Sequence, residues 1–183
     1  MLAELSMHIM DIVQNSLSAG ASLVRVKIEQ NDSLDTLAIE IEDNGRGMTE
    51  EEVKRVQDPF FTTKSYKKVG LGIPLFKQIA EHCDGSFEIK SVPGKGTLIR
   101  ARFRKSHIDL PPIGNLKDTI LTLVVGKPDI DFVFEIYKDG ESFILDTREI
   151  KKELQDVPVN HPEVIRFLEE YIDKNLKAME VVS

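Results

Sequence analysis

The chain has no tryptophan, only 7% aromatic residues and a single cysteine, Cys83. One cysteine excludes an internal disulfide and builds no metal cluster, so Cys83 reads as a packing residue in a reducing, intracellular setting. No apolar run approaches the roughly 20 residues that cross a bilayer. The opening MLAELSMHIMD also lacks the basic region of a secretion signal. The expected location is the cytoplasm, with no membrane partner. A basic patch is missing too. Up to Arg104 there are 14 basic and 15 acidic residues, and from Lys105 onward 10 and 16. Nucleic-acid binders concentrate Lys and Arg to displace counterions from phosphates, so nucleic acid is not an expected partner.

What is present is a globular composition, 41% hydrophobic and 30% charged over 183 residues. That length suits one large domain, or one of about 100 residues with a small appendage. Leu5, Ile9, Ile12 and Val13 form the apolar stripe of an opening helix. LVRVKIEQ (23–30) and LAIEIED (37–43) alternate, with Val24, Val26 and Ile28, then Leu37, Ile39 and Ile41, on one face. The turn formers NDSLD between them predict an antiparallel pair. MTEEEVKRVQ predicts a short helix capped by Thr49, with Glu52 completing a capping box. A helix from Ile73 to His82 is expected to turn Leu75, Ile79 and Ala80 to the core, with Pro74 tolerated in its first turn. SFEIKSV and GTLIRARF flank PGKG as a second hairpin.

SHIDLPPIG, with two consecutive prolines, reads as a linker. The expected division is residues 1–104 as one domain, 105–114 as linker and 115–183 as a small acidic domain. In that tail NLKDTILTLVV has helical spacing up to Gly126 and DFVFEIY and ESFILDT pair around KDG. Asp146 and Glu149 have capping-box spacing, and a last helix begins near Pro162.

Four stretches carry chemistry. Asp11 and Asn15 sit four residues apart, so one helical face presents an acid and an amide together. The strand ending at Asp43 runs into DNGRGM, where Gly45 and Gly47 allow a sharp turn and close approach of a flat ligand. A carboxylate there can accept a hydrogen bond from an exocyclic amine such as adenine N6. DPFFTTKSYKKVGLGIPL then places an apolar pair and Lys64 before a Gly70-Leu71-Gly72 turn that opens a helix. Free N–H groups and the positive dipole end at a helix start favour a polyphosphate.

In order, these resemble the N, G1, F and G2 boxes of the GHKL ATP-binding superfamily, over residues 4–104. That superfamily holds gyrase-type ATPases, heat-shock chaperones, histidine kinases and mismatch-repair ATPases. The closing hairpin and PFFTTK resemble histidine-kinase catalytic domains. The resemblance implies an α+β fold: a two-layer α/β sandwich (the Bergerat ATP-binding fold), here followed by a small α+β domain. It implies ATP and Mg²⁺ as cofactors, with Asn15 coordinating Mg²⁺ and Asp43 binding adenine. Gly45 and Gly47 would shape the adenine pocket, and Gly70, Leu71 and Gly72 would admit the phosphates. Lys64 would contact phosphate, and Phe60 and Phe61 would anchor the lid. A single Asn suffices for Mg²⁺ because phosphates and water complete its octahedron.

Two departures matter. At the catalytic acid position, where hydrolytic members carry Glu, this chain has Asp11, one methylene shorter. General-base catalysis depends on reach, so slow hydrolysis is expected. Only ten residues precede Asp11, too few for the helical hairpin that carries a sensor kinase's phosphoacceptor histidine. His8, His82, His107 and His161 read as packed or solvated. The whole chain is similar to small stand-alone GHKL proteins that accompany multisubunit NAD-linked iron hydrogenases, which implies regulation. The expected activity is γ-phosphate transfer to a separate protein phosphoacceptor, as in anti-sigma-factor serine kinases. A non-catalytic ATP-gated switch and a slow ATPase are the alternatives, and the tail would dock a partner or form a homodimer.

Overall fold

A computed structural model describes residues 3–60 and 71–181. Its elements are α1 (Leu5–Ser18), β1 (Leu23–Asn31), β2 (Thr36–Asp43), α2 (Glu50–Val56), α3 (Gly72–His82), β3 (Ser86–Val92), β4 (Gly96–Arg104), α4 (Leu116–Gly126), β5 (Asp131–Lys138), β6 (Glu141–Asp146), α5 (Thr147–Leu154) and α6 (Pro162–Ala178). The six strands form one sheet in the order β3-β4-β2-β1-β5-β6. All three expected hairpins are present, and Thr49 caps α2 through a reciprocal box with Glu52.

Strict alternation gives the sheet two unlike faces. One apolar row runs Ala101, Ile39, Ile28, Ile136, Phe143 across five strands. All five side chains are buried. α3 packs on α1, α1 on α4 and α4 on α6, and these helices share the sheet's buried cluster. The neighbouring row faces the other way and alternates in charge: Glu88, Arg100, Glu40, Lys27, Glu135. Arg100 binds Glu40 at 3.0 Å and Glu88 at 3.3 Å. Opposite charges directly across strands support a sheet on its polar side.

The chain does not divide at the prolines into two separately packed domains. β5 lies parallel to β1, pairing from Leu23↔Asp131 to Gln30↔Lys138. The tail thus continues the first sheet, and its Phe132, Phe134 and Ile136 join the same core. β1 would otherwise leave an open edge of backbone donors and acceptors. The 105–114 segment is also more than a tether. The carbonyls of Pro112 and Ile113 accept from the N–H groups of Leu5 and Ser6, at 2.9 and 2.8 Å. These are first-turn donors that no intrahelical carbonyl reaches, and Glu4 supplies no side-chain cap.

Two local expectations are corrected. Leu75 is 42% exposed, whereas Phe76 is fully buried. Measured from Ile73, the inward stripe continues at Phe76 and Ala80, and a residue two positions on points elsewhere. Asp146 does cap α5, but by accepting from the Arg148 N–H, and its carboxylate is clamped by the Arg148 guanidinium at 2.7 and 3.0 Å. Arg148, rather than Glu149, is the partner of that cap. Cys83 is fully buried, and burial raises its thiol pKa, in keeping with a packing role. Among the described residues no helix is long and apolar enough to cross a membrane.

Candidate functional site

α1 organises the site because its two sides serve different ends. Its core side buries Leu5, Ile9, Ile12 and Val13, and Ser16 continues that side. Asp11 and Asn15 lie on the exposed side. Among the described residues neither side chain makes a hydrogen bond, so both are available to a ligand.

Ser16 reaches the end of β2. Its hydroxyl donates to Asp43 Oδ2 at 2.6 Å, and the Gly45 N–H donates to Asp43 Oδ1 at 2.8 Å. The carboxylate is half-buried with a donor on each oxygen. Asn44 fixes the turn that follows: its Oδ1 accepts from the N–H groups of Ser22 and Leu23, and its Nδ2 donates to Ser22 Oγ. The Arg46 N–H then donates to the Ala19 carbonyl, strapping the turn to the end of α1.

Gly45 and Gly47 are buried in this strap. A Cβ on Gly45 would meet Ala19 and the Asp43 carboxylate at 3.0 Å. Gly47 has φ +68°, and a Cβ there would lie 2.0 Å from the Val92 carbonyl oxygen. Only glycine fits so close an approach. The β3–β4 hairpin closes over the turn: Gly94 N–H donates to the Arg46 carbonyl and Met48 N–H to Ser91 Oγ, both at 2.7 Å.

At the other end, α3 begins against α1. A Cβ on Gly72 would stand 2.9 Å from Asp11 Cβ. The exposed Leu71 is its N-cap residue, with no side-chain cap. The first N–H groups of α3 therefore open beside Asp11, where a helix start favours an anion. Lys64, Gly70 and Phe61 lie outside the described residues. Phe60, expected to anchor the lid, is 92% exposed, and the lid itself lies outside the described residues. The Phe60 N–H donates to Asp58 Oδ1.

One turn below Asp11, His8 is 6% exposed and stacks on Phe76 with ring centroids 6.1 Å apart. Its Nδ1 has no hydrogen-bond partner among the described residues. Burial pushes the imidazole pKa down, against the opposing pull of Asp11.

The structure thus gathers the sequence-marked residues into two groups joined by α1: Asp43, Gly45 and Gly47 at one end, and Asp11, Leu71 and Gly72 at the other, with Asn15 between them on the exposed side of α1. The residue missed was Ser16. Its signal was positional, since it extends the buried spacing of residues 9, 12 and 13 by another turn. Among the described residues no group of three or more His, Cys, Asp or Glu side chains could hold a metal. A cation bound through Asn15 would draw its other ligands from a polyphosphate and water.

Residues 3–107 match the family described as histidine kinase-, DNA gyrase B-, and HSP90-like ATPase. The chain belongs to this ATPase family. Sporulation kinase C of Bacillus subtilis (strain 168) is 31% identical over 97 residues, covering 53% of this chain and 22% of that kinase. Sensor protein DegM of Bacillus sp. (strain B21-2) is 35% identical over 91 residues, covering 50% of this chain and 24% of its own length. The chain therefore spans about a quarter or less of these relatives. A crystal structure of the N-terminal domain of a DNA repair protein superposes with a TM-score of 0.53 at 14% identity, over 79% of this chain and 53% of that one. That likeness concerns the fold of the family, a helix layer on a mixed sheet.

Proposed function

We propose that this chain binds Mg·ATP between Asp43 and the start of α3 and acts as a kinase-like regulatory domain. The observation that carries it is α1 itself, which holds Asp43 through Ser16 while presenting Asp11 beside Gly72 and Asn15 one turn further along its exposed side. In this reading Asp43 accepts from adenine N6, and Gly45 and Gly47 shape the base pocket by letting the turn after β2 pack against Ala19 and Val92. The phosphates would sit at the N-terminal end of α3, beside Leu71 and Gly72, and the phosphate contacts assigned to Lys64 and Gly70 fall on residues outside the described ones. Asn15 would supply one oxygen to Mg²⁺, and the ion when bound would offset charge on the transferred phosphoryl group. Catalysis then rests mainly on positioning.

The γ-phosphate goes to a separate protein, and the acidic tail contributes to a partner or homodimer surface. The cytoplasm is the proposed location. The short Asp11 carboxylate favours a second reading, in which turnover is slow and ATP works chiefly as a switch. Turnover well below the roughly 10 per second typical of enzymes is then expected.

Calorimetry with Mg·ATP tests the binding claim: Asp43→Ala should abolish measurable affinity, and unchanged affinity would remove Asp43 from the base site. Incubation with γ-labelled ATP, Mg²⁺ and lysate of the source cell tests the chemistry. Label appearing on a protein supports transfer, and binding without label movement supports the switch.

A further inference from the structure

We propose that Ser16 is a positioning residue that sets the preference for 6-amino over 6-oxo purines, an inference that rests on the reading of Asp43 as the base-binding residue. A carboxylate turns easily about its last side-chain bond, where the torsional wells are broad. One donor on one oxygen leaves that hinge free. At Asp43 both oxygens are held, Oδ1 by the Gly45 N–H at 2.8 Å and Oδ2 by the Ser16 hydroxyl at 2.6 Å. The plane of the carboxylate is thereby fixed, and each oxygen keeps a lone pair to offer.

A hydroxyl has one proton, and Ser16 has two places to send it. Asp43 Oδ2 lies at 2.6 Å and the Ile12 carbonyl at 3.4 Å. With Asp43 ionised, the proton goes to the carboxylate, and the edge facing the base is purely accepting. A 6-amino purine meets that edge with a donor, whereas a 6-oxo purine meets it with a carbonyl lone pair. Ser16 is itself 4% exposed, so water does not readily replace its hydroxyl. The same rotor makes an opposite arrangement available. In an Asp43→Asn chain the Gly45 N–H still requires an oxygen at its position, which turns the amide nitrogen to Ser16. The Ser16 proton then swings to the Ile12 carbonyl, its oxygen accepts from the amide, and the second amide hydrogen faces the base.

The test is calorimetric affinity for Mg·ATP and Mg·ITP, whose bases differ in the group at C6 and in the proton that the 6-oxo base carries on N1, with circular dichroism as a folding check. The wild-type chain should prefer ATP. Ser16→Ala should lose about tenfold in ATP affinity, the size of one charge-assisted hydrogen bond, and leave ITP binding unchanged. Asp43→Asn should reverse the preference, and Ser16→Ala added to it should cancel the reversal. Equal weakening of both nucleotides by Ser16→Ala would mark a merely structural role and overturn the proposal. So would an Asp43→Asn chain that still prefers ATP, an arm that remains informative if Ser16→Ala fails to fold. A wild-type chain that binds neither nucleotide would instead remove the nucleotide site, and this proposal with it.

Discussion

Asp11 and Gly72 meet where α1 passes the start of α3, with room for a hydrogen at position 72 and none for a methyl. The 2.9 Å separation a Cβ would have from Asp11 Cβ falls on the stem of a helical side chain, which cannot swing away. Gly72→Ala should push the two helix segments apart at the cost of overpacking, about 1–3 kcal/mol of stability. Denaturant midpoints would show that loss, and Mg·ATP affinity measured on the same protein should fall with it.

Substitutions at Asp11 test the proposed chemistry apart from binding. Asp11→Asn keeps nearly the same shape and removes the base, so phosphotransfer or hydrolysis should drop about 10²–10⁴-fold. Mg·ATP affinity should change little. Asp11→Glu restores the missing methylene and should raise turnover. Steady-state phosphate release from the three proteins measures both effects, and an Asp11→Asn chain with full turnover would take the acid out of the mechanism.

His8 makes stability depend on pH. Burial, opposed in part by Asp11, holds its folded pKa below the ordinary 6.5, so the unfolded chain binds a proton more readily than the folded one. Where the unfolded state carries more protons, stability rises with pH. The contribution of His8 is therefore complete above about pH 6.5. It is lost as pH falls from there toward the folded pKa. Urea midpoints between pH 7.5 and 5 should fall more steeply for the wild-type chain than for His8→Phe.

Phe76 and Leu75 are adjacent and energetically opposite. Phe76 is fully buried between His8 and Phe103, with ring centroids 6.1 and 5.6 Å away, and Phe76→Ala should cost about 3–5 kcal/mol. Leu75→Ala should stay within about 0.5 kcal/mol, because an exposed side chain loses little. Chemical denaturation of the two variants gives the contrast directly.

That pair also shows where sequence reading stops. The hairpins, the opening stripe and the Thr49 cap were legible because each depends on a local period or on residues three apart. Inside α3 several apolar residues compete for the inward stripe, and only the sheet beneath decides that Phe76 wins. Sheet order was out of reach for a related reason. β5 beside β1 is a pairing of distant segments, and DFVFEIY reads the same whether it starts a new sheet or extends an old one. The 105–114 segment looked like a tether because prolines mark breaks, yet its carbonyls serve α1. At the candidate site, Asp11, Asn15, Asp43 and the glycines stood out by residue type and spacing. Ser16 did not, since a buried serine in an apolar stripe shows its purpose only when a carboxylate from a distant strand arrives.

The parallel pairing of β1 with β5 sets an order on assembly. Their partners are roughly a hundred residues apart in the chain, while β2, which covers the other side of β1, follows within a short turn. A growing chain can form the β1–β2 hairpin early, but one side of β1 stays uncovered until residue 138 has left the ribosome. Closing so long a loop is slow, and the exposed strand waits as a template for wrong partners in the meantime. Synthesis slowed between β4 and β5 would thus lengthen the interval in which the uncovered side of β1 can mispair.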